Sequence, residues 1–341
     1  MEKFIKIGLL FLLVSLMFAG CDDDEITAPD TTASTTEIYV INVLGNTISA
    51  IDLETSTVTN DVAVTGTFPN SLVYRNGKLY LINSGSNDIR IFDVSTWQEE
   101  TPIDIGAGNN PMNMVFFDDN TAYVSALLTN SVLKINMVTK AVGAVIDAGI
   151  GTTGLALASG KIYATNTAFD GETFAYGPGT VTVINGASGS VVNTIDVAMN
   201  PQSVALAPDG MVHVLCTGNF FSVFGRVYVI DPATDTVIDS ILVQGSPGII
   251  GISEPDNLGY IADWGKGALV YNTGTYTVVH DTANYFFGAG GSGILVGPEG
   301  NVFISDWDGN RVVMLDKNGT VLNDFSVGDS PGALAIKIEL R

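Results

Sequence analysis

Cysteine is nearly absent: Cys21 and Cys216 are the only two in 341 residues. If Cys21 is consumed by modification, as argued below, Cys216 has no partner and no disulfide can form, and the pair lacks any zinc-site spacing. Histidine is equally scarce, and His213 and His280 are the only imidazole bases available at neutral pH. No G-x-S-x-G, H-E-x-x-H or P-loop pattern accompanies them, so covalent hydrolysis has no visible nucleophile and base. Positive charge is in short supply, with 14 Lys and Arg against 36 Asp and Glu and a net charge of -22. Such a surface repels phosphate backbones, which excludes nucleic acid as a partner. Long apolar runs are missing too. The one candidate, Ile7 to Phe18, is shorter than the roughly 20 residues a membrane-crossing helix needs.

What is present begins with a leader. Lys3 and Lys6 precede the apolar run and Ala19 and Gly20 follow it, the pattern of an export signal over residues 1–20. The closing phrase FAGC resembles the lipobox of bacterial lipoproteins, with Phe18 where that motif has Leu. The resemblance implies that Cys21 is lipidated and that the chain meets a membrane through this lipid anchor only. The other reading is an ordinary secretory signal with an incidental cysteine. Residues 21–36 are acidic and Thr-rich with almost nothing to bury, which makes them a disordered tether. Acidic residues directly after such a cysteine resemble, in some Gram-negative lineages, an address for the outer face of the cell; in others Asp22 favours retention at the inner membrane. The expected location is extracytoplasmic, at the outer membrane or cell surface.

From residue 37 to 341 the chain repeats itself, and a period of roughly 40 residues indicates a propeller or solenoid. One phrase recurs as IYVIN, LYLIN, AYVSA, IYATN, VHVLC, GYIAD and VFISD, seven copies in all. A second follows each after a variable gap, as TISAID, DIRIFD, SVLKIN, TVTVIN, RVYVID, ALVYN and RVVMLD. A less regular third strand then leads through a Gly/Pro-marked turn to a fourth phrase, such as PNSLVY, PQSVAL or PGALAIKIEL. Alternation and β-branched residues make all of these strands. The predicted fold is all-β, a seven-bladed β-propeller of four-stranded antiparallel blades. The chain starts with the second strand of a blade, at Ile38, and ends with a first-type strand. The N- and C-terminal strands therefore share one blade and close the ring, leaving no open sheet edge.

The phrases EIYVINVLGNTISAIDLETSTV and RVYVIDPATDTVIDSILVQGSP resemble the bacterial YVTN-repeat family of seven-bladed propellers, found among surface-layer-like extracytoplasmic proteins. The resemblance implies the fold and leaves function open, because propellers host many activities.

If the strands of each blade are named A to D, the A–B and C–D turns lie on one face of the disc and the B–C and D–A connections on the other. The A–B turns are tight and polar, as in YRNGK and APDGM, which reads as plain scaffold. The other face carries the aromatics. The fourth B–C connection brings Phe169, Phe174 and Tyr176; the fifth brings Phe220, Phe221 and Phe224 into a turn, where such residues are unusual. The sixth D–A connection adds Tyr285, Phe286 and Phe287, and the last two B–C turns add Trp264 and Trp307. These eleven are the candidate ligand-binding residues, since rings on loops offer large contact area at low entropic cost. The alternative is that the long loops pack on each other as a satellite cluster. Asn70, Asn110 and Asp170 on the same face are candidate polar contacts.

No catalytic residue, metal ligand or cofactor is assigned. His213 occupies the repeat position of Tyr39, Tyr80, Tyr123, Tyr163, Tyr260 and Phe303 and is expected to replace a packing aromatic, and His280 to be a solvated edge residue. DWDGN, Asp306 to Asn310, has the start of a calcium loop without its distant bidentate Glu. The expected function is non-enzymatic binding of a small molecule or a protein partner on the B–C/D–A face. Lipobox, acidic leader and propeller together resemble surface lipoproteins that capture cobalamin for an outer-membrane transporter, and a flat, apolar-faced corrin with amide fringes suits an aromatic floor. The alternatives are an adhesive or surface-layer-like module and a propeller lactonase or lyase.

Overall fold

The computed structural model describes residues 33–340; the leader, Cys21 and most of the tether lie outside them. Seven four-stranded antiparallel sheets form the blades. The first blade takes its A strand from the C-terminus, Pro331–Leu340, followed by Ala33–Asn42, Thr47–Asp52 and Thr57–Val64. Ile38 pairs with Ile336 and Tyr39 with Ala335 across this junction, which closes the ring. Strand B of this blade starts at Ala33, ahead of Glu37, because Ala33 and Ser34 pair with Leu340 and Glu339. The other six blades run in chain order from Pro69 onward, and among the described residues there is no helix.

Burial explains the repeat phrases. Strand B of each blade has a neighbouring blade on both sides, so its residues are buried almost without interruption, as in Lys78–Asn83 and Lys161–Asn166, and the phrase is apolar rather than alternating. Strand D is the outer edge and only every second or third residue is covered, as in Glu99–Asp104 and Val321–Ser326; its Thr, Asp and Glu keep that edge from pairing with another chain. Seven hydrophobic clusters result, one at each seam between blades.

In the second and sixth blades the Asn or Asp that ends strand B is a staple for the neighbouring D–A connection. Asn83 Oδ1 accepts the Gly66 N–H at 3.1 Å, and Asp263 Oδ1 accepts the Ser246 N–H at 3.0 Å. A Cβ on Gly66 would come within 2.6 Å of the Asn83 side chain, so glycine is required for that close approach. These two staples fix the D–A connections that lead into the second and sixth blades against the B–C turns on the face that carries the aromatics.

The sixth blade departs from the pattern. Its D strand is only Val278–His280, after which Asp281 to Asn284 bulge outward and the chain returns to pair at Ala268 with Phe287. Phe286 is therefore a strand-D residue in the seam between the sixth and seventh blades, 8% exposed, with its ring against Tyr260 at 5.1 Å and against His280 at 5.6 Å.

Candidate functional site

The long aromatic loops are built turns. In the fifth B–C connection Asn219 Oδ1 accepts the N–H groups of Phe221, Ser222 and Val223 at 3.1, 2.8 and 2.8 Å. Gly218, at φ 84°, has the Val223 carbonyl where a Cβ would stand, so the chain folds back tightly enough to leave the phenylalanines on the outside. In the fourth, a two-residue hairpin pairs Phe169 with Tyr176 and Asp170 with Ala175. Asp170 caps it, accepting from the Thr173 hydroxyl and from the Glu172 N–H, and these bonds hold its carboxyl below the ordinary range. Asp170 therefore shapes its own loop, while Asn70 bonds across the channel wall to the Pro111 carbonyl at 3.0 Å.

The two loops touch. Phe169 lies against Phe174 at 6.2 Å and Tyr176 at 5.2 Å, and Tyr176 against Phe220 at 6.1 Å. Phe169 and Tyr176 are half-buried in this contact, yet the outer members stay in solvent, with Phe174 78% and Phe221 87% exposed and Phe220 and Phe224 also exposed. Trp264 and Trp307 form a second pair, centroids 5.4 Å apart, with Trp264 exposed and Trp307 half-buried. Tyr285 is half-buried with its hydroxyl donated to Asp263 Oδ2 at 2.6 Å, and Phe287 is half-buried beside it. Phe286 departs from the expected rim position and belongs to the inter-blade core, because its D strand resumes after the bulge.

Residues that the repeat reading passed over join this face. Phe68, in the first D–A connection, is 70% exposed, and Leu44, Leu128 and Ile150 in the neighbouring short connections are exposed as well. Phe68 has φ 51°, at a position before strand A where Asn110 and Asn200 have φ 53° and 59°. Phe174 and Phe220 are also left-handed, at 55° and 67°. A bulky side chain in that region costs about 1–2 kcal/mol, so three exposed rings are held in strained backbone. Among the described residues every exposed aromatic, namely Phe68, Phe174, Phe220, Phe221, Phe224 and Trp264, lies on the B–C/D–A face.

The central channel opens on the same face through a cavity of about 290 Å³. Its wall is uneven. The second to fifth blades contribute Asn70, Asn113, Thr153 and Gln202 together with Leu72 and Met112, whereas the sixth, seventh and first contribute only Gly248, Ile249, Gly293, Ile294, Ala333 and Leu334. Ser71 Oγ donates to the Met112 carbonyl at 3.0 Å and ties adjacent A strands together. A further cleft of about 430 Å³ lies between the third and fourth blades, lined by Leu128, Ile150 and Phe169.

The chemistry-bearing residues are otherwise engaged. His213 is fully buried, its Nδ1 2.6 Å from the Tyr271 hydroxyl, and burial lowers its pKa to about 4. It thus takes the place of a packing aromatic. His280 lies against the Asn284 carbonyl at 3.1 Å. Burial raises the Cys216 thiol to about 12, which leaves it unreactive. Asp306 accepts from Arg311 Nε at 2.8 Å, and this ion pair occupies the carboxylate that began the calcium-like motif. Among the described residues no three His, Cys, Asp or Glu side chains converge as a metal site would require.

A family model described as Domain of unknown function (DUF5074) matches residues 50–272. No curated protein matches the sequence. Among solved structures, Kuenenia stuttgartiensis hydrazine synthase is similar with a TM-score of 0.70 and 17% identity, over 88% of this chain and 99% of that one. A quinoprotein alcohol dehydrogenase-like protein from Bacteroides thetaiotaomicron has a TM-score of 0.67 at 17% identity, over 89% of this chain and 78% of its own. A streptogramin B lyase has a TM-score of 0.64 at 12% identity, over 80% and 94%. At these identities the likeness is one of fold.

Proposed function

The chain belongs to the DUF5074 family, whose description assigns no activity, and from the geometry of its B–C/D–A face we propose that it is a non-enzymatic binding propeller. One observation carries this reading: every exposed aromatic among the described residues is on that face, and three of them are in left-handed backbone. The solvent-facing part of these rings gains nothing for the free protein, and strain of this kind accumulates where a surface is shaped for contact. The opposite face, by contrast, is built mostly from tight polar turns and carries no exposed aromatic among the described residues, although Val138 is exposed there.

The ligand is a flat, partly apolar molecule with a polar fringe, and cobalamin is the first candidate, in keeping with the resemblance to cobalamin-capturing surface lipoproteins and to YVTN-repeat propellers. Its apolar surface meets the rings; its fringe meets the more polar side of the channel mouth, where the Asn113 carboxamide makes no hydrogen bond among the described residues. A lipid on Cys21 holds the propeller outside the cytoplasm, and an outer-membrane transporter receives the ligand. Equilibrium titration of the purified chain with cobalamin and a panel of oligosaccharides tests the reading. Saturable binding of one of them supports it; no binding of any, together with adhesion to host surfaces, favours the surface-layer-like module instead.

A further inference from the structure

At the seam of the fifth and sixth blades, a cleft of about 690 Å³ opens on the same face, lined by Phe224, Leu242, Gln244, Lys266, Thr282 and Tyr285. Its apolar walls are of two kinds. Phe224 and Leu242 are exposed, whereas Tyr285 is fixed by its bond to Asp263, and burial together with that carboxylate pushes its phenol well above the ordinary range, so it remains a neutral, rigid wall. Asp263 itself is fully buried and satisfied on both oxygens, by the Ser246 N–H and by Tyr285.

Lys266 is the unusual member. In a chain with 36 acidic and 14 basic residues, every other described Lys and Arg is tied to a carboxylate, hydroxyl or carbonyl of the protein. The Lys266 ammonium alone has no protein partner among the described residues. Beside it Gln244 sits at φ 66°, its Oε1 accepting from Thr282 Oγ1 at 2.9 Å, which turns the amide nitrogen away from that bond as a second donor. A cation and an amide donor between aromatic walls, on a protein that elsewhere repels anions, select one kind of guest.

We propose that this cleft binds a planar aromatic carrying an anionic oxygen group, a carboxylate or a phosphate ester, with the ring between Phe224 and Tyr285 and the oxygens on Lys266 and Gln244. The site rests on the reading of this face as a binding face and adds to it the charge of the group recognised there.

The test is titration of the full chain with 2-naphthoate, its uncharged amide 2-naphthamide, and 2-naphthyl phosphate. The parent binds naphthoate or naphthyl phosphate at least about fivefold tighter than naphthamide, and added salt weakens only the anions. Whichever anion binds tighter identifies the group recognised. Lys266→Gln abolishes the preference, Lys266→Arg retains it, and both melt like the parent, since the side chain is exposed. Equal affinity of the parent for anions and amide, no binding of any probe at millimolar concentration, or a preference that survives Lys266→Gln overturns the proposal. If those results appear while a panel ligand still binds in a Phe221-dependent way, the seam site alone fails. If the Lys266-dependent preference holds while no panel ligand binds, the seam site stands and the wider platform fails.

Discussion

At the scale of single residues, His213 is the most informative departure from the repeat. It fills a slot that tyrosine or phenylalanine occupies in the other blades, and its Nε2 is buried without a partner. Burial lowers its pKa from 6.5 to about 4, against a small opposing pull from Asp209. Below pH 6.5 the unfolded chain therefore takes up a proton that the folded one refuses. The stability His213 allows is fully present above pH 6.5, declines as pH falls toward 4, and is lost by about 3 kcal/mol across that window. His213→Phe removes this titration while leaving the carboxylates unchanged, so the difference in stability between parent and variant should shrink or reverse by that amount between pH 7 and 4, measured by urea denaturation. Parallel pH profiles would show that the imidazole takes up its proton as readily in the folded state as in the unfolded one, and would contradict this account. That His213 packs as an aromatic was legible from repeat position alone. The exposure of Phe68 was not: its D–A connection is short, and the one available signal was a Phe where aligned repeats have Asn, Gly or Ser.

Strands and connections were legible to different degrees, for a physical reason. Strands B and C are sandwiched between blades, and burial imposes on them a pattern visible without a structure, so all seven copies were found. Strand D is an outer edge with few constraints, and in the sixth blade it breaks and resumes. Phe286 therefore reads as a loop aromatic in the sequence, although the return of the strand buries it. The ring closure followed from counting strand types at the two ends, and the register of Ile38 with Ile336 agrees with it. Removing Gly332–Arg341 takes away the innermost strand of the first blade and exposes Ile38, Val40 and the seam with Phe303 and Phe325. Loss of a cooperative thermal transition is expected, because the edge of strand B and two apolar seams open at once. A truncated chain melting at the parent's temperature would contradict the closure.

The whole molecule is a ring of seven similar seams with two unlike faces. Its fold was readable because each blade repeats the same burial problem, and its candidate site was readable only in part because nothing repeats there: the rings sit on connections of different lengths, and exposure depends on how each connection folds. The satellite cluster and the open platform are both partly realised, with Phe169 and Tyr176 packed between loops and Phe174, Phe221 and Trp264 left in solvent. This division sets up the most direct test of the central claim. Phe221→Ser, Trp264→Ser and the buried control Phe286→Ser are each melted and titrated with the ligand the parent binds. The two exposed positions should weaken binding by about 1–3 kcal/mol while leaving the melting temperature unchanged, and Phe286→Ser should cost about 3 kcal/mol of stability. Loss of stability at Phe221 and Trp264, with binding by the folded variants equal to the parent's, would contradict a binding face.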